Sequence, residues 1–208
     1  MITAKTRRDR GRRLSMVISS RSTFDEIVRS YATHIESKIL LGWEPTFMSF
    51  MYNPLNGSPS AVAEQMRFEV ERIYGILLTH RSRRPSKTPR DRLPFFMACP
   101  DFPVPKYERD RFSAISINHG RHLHALDLSP PRTRTASNLA DIVAERQSLL
   151  AGHNRPLSHV YAETMTGSPE EATAYVMKAI GRGRASLDDL IIMPRASGEA
   201  RYGRLFQN

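Results

Sequence analysis

The sequence of 208 residues has one cysteine, Cys99, and contains no long apolar run. A single cysteine excludes an internal disulfide, and no CxxC pair is present to hold a metal ion. No stretch approaches the ~20 apolar residues that span a bilayer. The basic residues 1–13 are not followed by the apolar segment of a secretory signal. We therefore expect a soluble, intracellular (cytoplasmic) protein with no membrane partner.

Two common enzyme motifs are also missing. There is no GxSxG elbow, so a Ser-His-Asp hydrolase has no support, and no GxxxxGK[ST] phosphate loop. The hydrophobic fraction of 40% is still enough for a core, and the length suits one domain with tails. We expect a flexible basic arm over residues 1–21 and a single domain over residues 22–208.

The net charge of +10 is concentrated in two segments. Residues 1–13 and residues 81–92 each carry six basic side chains against one aspartate, so they hold the whole excess. Concentrated arginine suits phosphate, because the guanidinium fork binds it bidentately. Charge alone leaves open two solvated, disordered tracts or contact with an anionic membrane. The predicted DNA contacts are Arg12 and Arg13 in the arm, and Arg81, Arg83, Arg84, Lys87, Arg90 and Arg92 in a mobile loop over residues 81–92.

Apolar periodicity and capping residues predict the element order α-β-α-β-β-β-α-β-α. Helices are predicted to begin with a Thr23/Glu26 capping box and after Ser58, Ser137 and Ser168. Strands are predicted over residues 46–53, 93–98, 112–117, 122–128 and 157–166, with 190–193 as one more candidate. Residues 99–106 contain three prolines and are predicted to be a loop. The pattern favours an α+β fold, with a mostly antiparallel sheet of about five strands flanked by helices.

The segment His122-Leu123-His124 lies on a predicted strand. Side chains two apart on a strand project from the same face, so both imidazoles can reach one metal ion. Leu123 would pack into the core behind them. The plainer alternative is a pair of surface histidines.

Tyr175 and Lys178 lie three residues apart on a predicted helix, and therefore on one face of it. A tyrosine hydroxyl with a pKa near 10 is a weak nucleophile without help. A neighbouring ammonium and a metal ion could both stabilise charge on a phosphate that it attacks. The alternative is that Tyr175 is a core tyrosine within an apolar stripe and that Lys178 is a surface lysine.

The order of these motifs is more informative than any one of them. Phe47-Met48-Ser49-Phe50 on a strand, then His122-Leu123-His124, then Tyr175-Val176-Met177-Lys178, resembles the Rep-type HUH endonucleases. In that family the tyrosine follows the histidines in Rep-type members and precedes them in relaxases. The resemblance covers about residues 44–182 and implies an HUH/Rep-type (ferredoxin/RRM-like) sandwich with a single catalytic tyrosine.

The resemblance also implies a chemistry and a partner. His122 and His124 would ligate Mn²⁺ or Mg²⁺, and two nitrogen ligands tilt the choice toward Mn²⁺. Tyr175 would attack a phosphodiester of single-stranded DNA, at an origin or hairpin, leaving a 5′-phosphotyrosine and a free 3′-hydroxyl. Lys178 would hold the scissile phosphate. The expected role is the initiation of rolling-circle-type replication.

The chain departs from the family pattern in two respects. The family usually supplies a third, often acidic, ligand, for which His119, Glu163 and Asp101 are the candidates in that order. Many members also carry a helicase, so we expect a host helicase or an already single-stranded substrate here. Two other functions stay open: a non-catalytic nucleic-acid-binding protein with the same fold and basic segments, and a zinc-stabilised structural protein, which needs four closed ligands.

Overall fold

The computed structural model describes residues 21–101, 122–135 and 137–195. These residues form an α+β fold around a five-stranded sheet in the order β4-β1-β3-β2-β5, with every neighbouring pair antiparallel. The expected α+β class, with an antiparallel sheet of five strands flanked by helices, is confirmed. The helices are α1 (Arg21–Leu40), α2 (Pro59–Arg81), α3 (Leu139–Glu145), α4 (Gln147–Leu150), α5 (Pro169–Val176) and α6 (Lys178–Gly181). The strands are β1 (Glu44–Tyr52), β2 (Phe95–Asp101), β3 (His122–Ser129), β4 (Leu157–Thr164) and β5 (Ile191–Met193).

The central strands are covered on both faces, because alternate side chains of β1, β2 and β3 enter different cores. On one face, Met48 and Phe50 of β1 pack in a cluster with residues of α2, α3 and α4. On the other face, Leu126 and Leu128 of β3 pack with residues of α1, α5 and α6. None of the helices in the described ranges is long and apolar enough to cross a membrane.

Two of the four predicted helix starts are confirmed. Ser58 caps α2, and Ser168 forms the capping box of α5. The other two are wrong. Thr23 lies inside α1, which has already begun at Arg21, and Asn138 rather than Ser137 caps α3. Asparagine caps a helix as well as serine does, so adjacent Ser and Asn leave the start ambiguous.

The predicted third and fourth helices are each divided into two. Arg146 separates α3 from α4, and Met177 separates α5 from α6. Both residues have ψ angles close to zero (12° and 8°), outside the α-helical region. The second break falls between Tyr175 and Lys178, so the two residues belong to different helices.

β2 extends farther than the sequence indicates. Residues 99–101 were expected to be part of a proline loop, but they continue the strand through Pro100. β5 pairs with β2 only over Phe96–Ala98, so the missing N–H of Pro100 falls where β5 offers no bond. The extension brings Asp101 opposite His122. The predicted strand over residues 112–117 lies outside the described residues.

The segment predicted as a mobile basic loop is folded. Arg81 is the last residue of α2, and two 3₁₀ turns follow, Pro85–Lys87 and Arg90–Arg92. The Arg90 guanidinium donates to the carbonyl of Pro194 at 2.7 and 3.0 Å. Because this segment leads into the first residue of β2, it lies at the opposite end of the sheet from Asp101.

Candidate functional site

Strand register brings three possible metal ligands to one end of the sheet. Asp101 of β2 pairs with His122 of β3, and alternation places His124 on the same face. Leu123 is fully buried in the core on the opposite face. The prediction that the two histidines share a face is confirmed.

The ligand atoms of these three side chains converge. The Nε2 atoms of His122 and His124 lie 3.0 Å apart, and Oδ2 of Asp101 lies 3.2 Å and 3.9 Å from them, respectively. Ligands bound about 2.1 Å from a single ion are separated by roughly 3 to 3.5 Å. Among the described residues, Asp101, His122 and His124 form a group that could hold a metal ion.

One oxygen of the buried Asp101 carboxylate is paired, and the other has no partner in the described ranges. The residue is only 4% exposed, and its Oδ1 has no hydrogen-bond partner among the residues that the structure describes. A buried charge is costly unless it is paired or coordinates a metal. Oδ2 pairs with the Lys178 ammonium at 2.7 Å, whereas the unpartnered Oδ1 fits a carboxylate that gains a further partner when it binds a cation.

His124 is held in the form that a metal ligand requires. Its Nδ1 lies 3.0 Å from Oγ of Ser49 on β1, which leaves Nε2 facing Asp101. Burial lowers the pKa of His124 to about 4, with further lowering by the Lys178 ammonium and by His122 and a partial offset from Asp101. At neutral pH the imidazole is therefore uncharged and offers a lone pair.

Tyr175 lies beside this group and is accessible. It is 47% exposed, and its ring centroid lies 4.8 Å from that of His124 and 5.5 Å from that of Phe47. The Nζ of Lys178 lies 4.0 Å from the centroid of the Tyr175 ring, despite the break between α5 and α6. The alternative of a core tyrosine is therefore wrong, and Lys178 is an ion-paired residue of the site.

The site thus combines three possible ligands, a lysine ammonium and an exposed phenol. No protein family, curated protein or solved structure is found to match the chain. The function therefore has to be inferred from these side chains and their arrangement.

The other two candidates for the third ligand do not join the described group. Glu163 is exposed on β4, opposite Phe47 of β1, and is not a member of the group. His119 lies within residues 102–121, outside the described residues. The structure thus brings Asp101, ranked last by the sequence, to the two histidines.

The structure corrects the interpretation of Arg81 as a DNA contact. Arg81 is 4% exposed, and its guanidinium donates to Asp127 at 2.5 Å and to Ser129 at 2.9 Å. It ties α2 to β3 and is not available to phosphate. The other predicted contacts in this segment are exposed: Arg83, Arg84, Lys87, Arg90 and Arg92. Arg12 and Arg13 lie outside the described residues.

The predicted DNA contacts and the metal group lie far apart. Six residue steps of about 3.4 Å along β2 place roughly 20 Å between Phe95 and Asp101. The basic loop precedes Phe95, so it cannot touch the same phosphate as Tyr175. Ser49, by contrast, contacts His124 directly, and no sequence pattern indicates this contact. Only the register of β1 against β3 reveals that contact.

Proposed function

We propose that this protein is a metal-dependent endonuclease that nicks and rejoins single-stranded DNA through Tyr175. The observation that carries the proposal is the exposed phenol of Tyr175 packed against His124, which belongs to the group that could hold an ion. A non-catalytic protein has no need to place an accessible phenol, an ammonium and a convergent ligand set side by side.

The topology supports the same assignment. β1, α2, β2, β3, α3–α4 and β4 follow one another as βαββαβ, and the four strands lie in the order β4-β1-β3-β2. This is the ferredoxin-like arrangement that the resemblance to Rep-type HUH endonucleases implies. The motif order Ser49, His122/His124, Tyr175 then corresponds to adjacent positions on one face of the sheet.

The proposed reaction is a transesterification. The Tyr175 oxygen forms a bond to phosphorus as the bond to the 3′ oxygen breaks, giving a 5′-phosphotyrosine and a 3′-hydroxyl. The phenolic proton is lost to solvent, and the 3′ oxygen takes one up. Because one phosphodiester bond replaces another, attack by a 3′-hydroxyl on the adduct reverses the step and joins a strand.

The neighbouring side chains have distinct roles. Asp101, His122 and His124 would hold Mn²⁺ or Mg²⁺, and two nitrogen donors out of three favour Mn²⁺. Such an ion would polarise the scissile phosphate and offset its developing charge. Lys178 supplies a further positive charge beside the phenol. The reaction suits the initiation of rolling-circle-type replication, with strands separated by a host helicase.

The alternatives explain less of the structure. Binding of nucleic acid without cleavage agrees with the exposed arginines but gives no purpose to the convergence of Asp101, His122 and His124 or to the unpartnered Oδ1 of Asp101. A structural zinc site needs four closed ligands. The described residues supply three, and a lysine stands beside them.

The test is capture of a covalent adduct. The protein is incubated with Mn²⁺ and a pool of random-sequence and hairpin-forming single-stranded DNA, and denaturant-resistant species are isolated and sequenced. We expect an adduct that mass spectrometry locates on Tyr175 and that is lost in Tyr175→Phe and in chelator. Tyr161→Phe is the matched control, because Tyr161 is 57% exposed on β4 and has no assigned role in the chemistry. An adduct that survives Tyr175→Phe, or none from any pool, would refute the proposal.

A further inference from the structure

A second feature lies at the opposite end of the sheet, where α2 and β3 end and β2 begins. It is a cleft of about 860 Å³. Its walls include prolines that flank the strands and the only tryptophan of the chain, Trp43. The other lining residues that matter here are Arg83, Arg92, Arg132 and Arg134.

The cleft is strongly basic. Four arginines, together with Arg81, face a single acidic lining residue, Asp91. Arg81 is already neutralised by Asp127. Arg83, Arg92 and Arg132 are exposed and form no salt bridge with any residue in the described ranges. These guanidiniums are therefore available to an anion.

The frame that carries the arginines is fixed by hydrogen bonds. The backbone N–H of Arg134 donates to the carbonyl of Arg81 at 2.8 Å, which joins the segment after β3 to the end of α2. The Nζ of Lys38 on α1 lies 3.5 Å from the carbonyl of Asp91. A cleft built in this way loses little conformational freedom when a ligand binds.

We propose that this cleft binds the phosphodiester backbone of DNA at a distance from the bond that is cleaved. That the bound polyanion is DNA rests on the proposed function, whereas the existence of the basic cleft does not. Several guanidiniums spread over one cleft suit successive phosphates of a strand better than one isolated anion. The length of β2, roughly 20 Å, separates the cleft from the metal group, so a strand that reaches both has to span several nucleotides. The cleft is thus a docking site that holds the substrate while Tyr175 acts elsewhere.

The first test measures binding without cleavage. Fluorescence anisotropy of a labelled 20-nucleotide strand is recorded with the Tyr175→Phe protein in chelator. Arg92→Ala/Arg132→Ala should weaken binding about tenfold or more. The slope of log K against the logarithm of the salt concentration should become shallower by roughly 1.4, because two phosphate contacts are lost. The matched control is Arg29→Ala/Arg146→Ala, which removes the same charge from exposed positions outside the cleft. Equal losses in the two variants would show a net-charge effect and overturn the proposal.

The second test uses Trp43 as a reporter inside the cleft. DNA should change its fluorescence in the parent and in the control variant, and the change should be absent from Arg92→Ala/Arg132→Ala at the same DNA concentration. Parallel titrations use inorganic phosphate and phosphatidylserine vesicles. DNA binding that leaves Trp43 unaffected, or a cleft-dependent response to vesicles but not to DNA, would overturn the proposal. Because neither test needs cleavage, failure to form an adduct would refute only the proposed nicking activity.

Discussion

Lys178 donates a hydrogen bond to Oδ2 of Asp101 across 2.7 Å, and the same oxygen lies 3.2 Å from His122. The ammonium thus pairs with an atom that a metal ion would also need. A divalent cation bound by the histidines would compete with Lys178 for this oxygen and release the ammonium toward a phosphate.

Replacement of Lys178 by methionine should separate metal binding from chemistry. Lys178→Met removes the competing charge, so we expect Mn²⁺ to bind roughly fivefold more tightly. This factor corresponds to about 1 kcal/mol, the contribution of one such ion pair. Adduct formation should nevertheless slow, since no ammonium remains beside the phenol. Calorimetry gives the affinity, and Lys87→Met is the exposed control. Weaker Mn²⁺ binding would show that Lys178 supports the ligand group instead of competing with it.

The third ligand can be decided by two isosteric substitutions. Asp101→Asn should reduce Mn²⁺ affinity by more than the roughly 10- to 100-fold loss that follows removal of an outer-shell partner. Glu163→Gln, the corresponding change at the exposed candidate on β4, should leave the affinity unchanged. Both are measured by Mn²⁺ electron paramagnetic resonance. A reversed result would return Glu163 to the ligand set.

The buried pair of Arg81 and Asp127 should act on stability. Arg81→Met leaves the fully buried carboxylate of Asp127 without its partner, and such a change costs about 3 to 5 kcal/mol in the free energy of unfolding. Arg81→Met/Asp127→Leu should recover much of this loss, because no uncompensated charge remains. Urea denaturation measures both. If the two substitutions were additive, the pair would not act as a unit, and our account of Arg81 would fail.

The low pKa of His124 predicts a pH dependence in the metal-free protein. As the pH falls below 6.5, the ordinary pKa of histidine, His124 of the unfolded chain gains a proton. In the folded protein the same residue does not accept the proton until about pH 4, because its pKa is lowered. The free energy of unfolding should therefore decrease over this interval and be fully recovered above it. Urea denaturation between pH 7 and pH 5, in chelator, should show a smaller decrease for His124→Gln than for the parent. Equal decreases would place the pKa of His124 near its ordinary value.

Local chemistry explains which parts of the fold were foreseeable. The starts of α2 and α5 depend on Ser58 and Ser168, whose side chains satisfy N–H groups only three residues ahead. The shared face of His122 and His124 follows from the two-residue repeat of a strand. The position of Asp101 could not be foreseen, because Pro100 indicates a loop. The strand accepts Pro100 because β5 pairs with β2 no farther than Ala98, while β3 continues to pair with β2 as far as Asp101.

The amino-acid sequence by itself determined the α+β class, the shared face of the two histidines on one strand, and the order of the histidines, Tyr175 and Lys178 along the chain. Each of these follows from local apolar patterns or from the chain order itself. Only the tertiary structure decided that Asp101 completes the ligand group, that Ser49 orients His124, and that Arg81 is buried while its neighbours line a distant cleft. Those outcomes depend on which strands pair and in what register. Register joins residues far apart in the chain, such as Ser49 and His124, through contacts that no local pattern encodes.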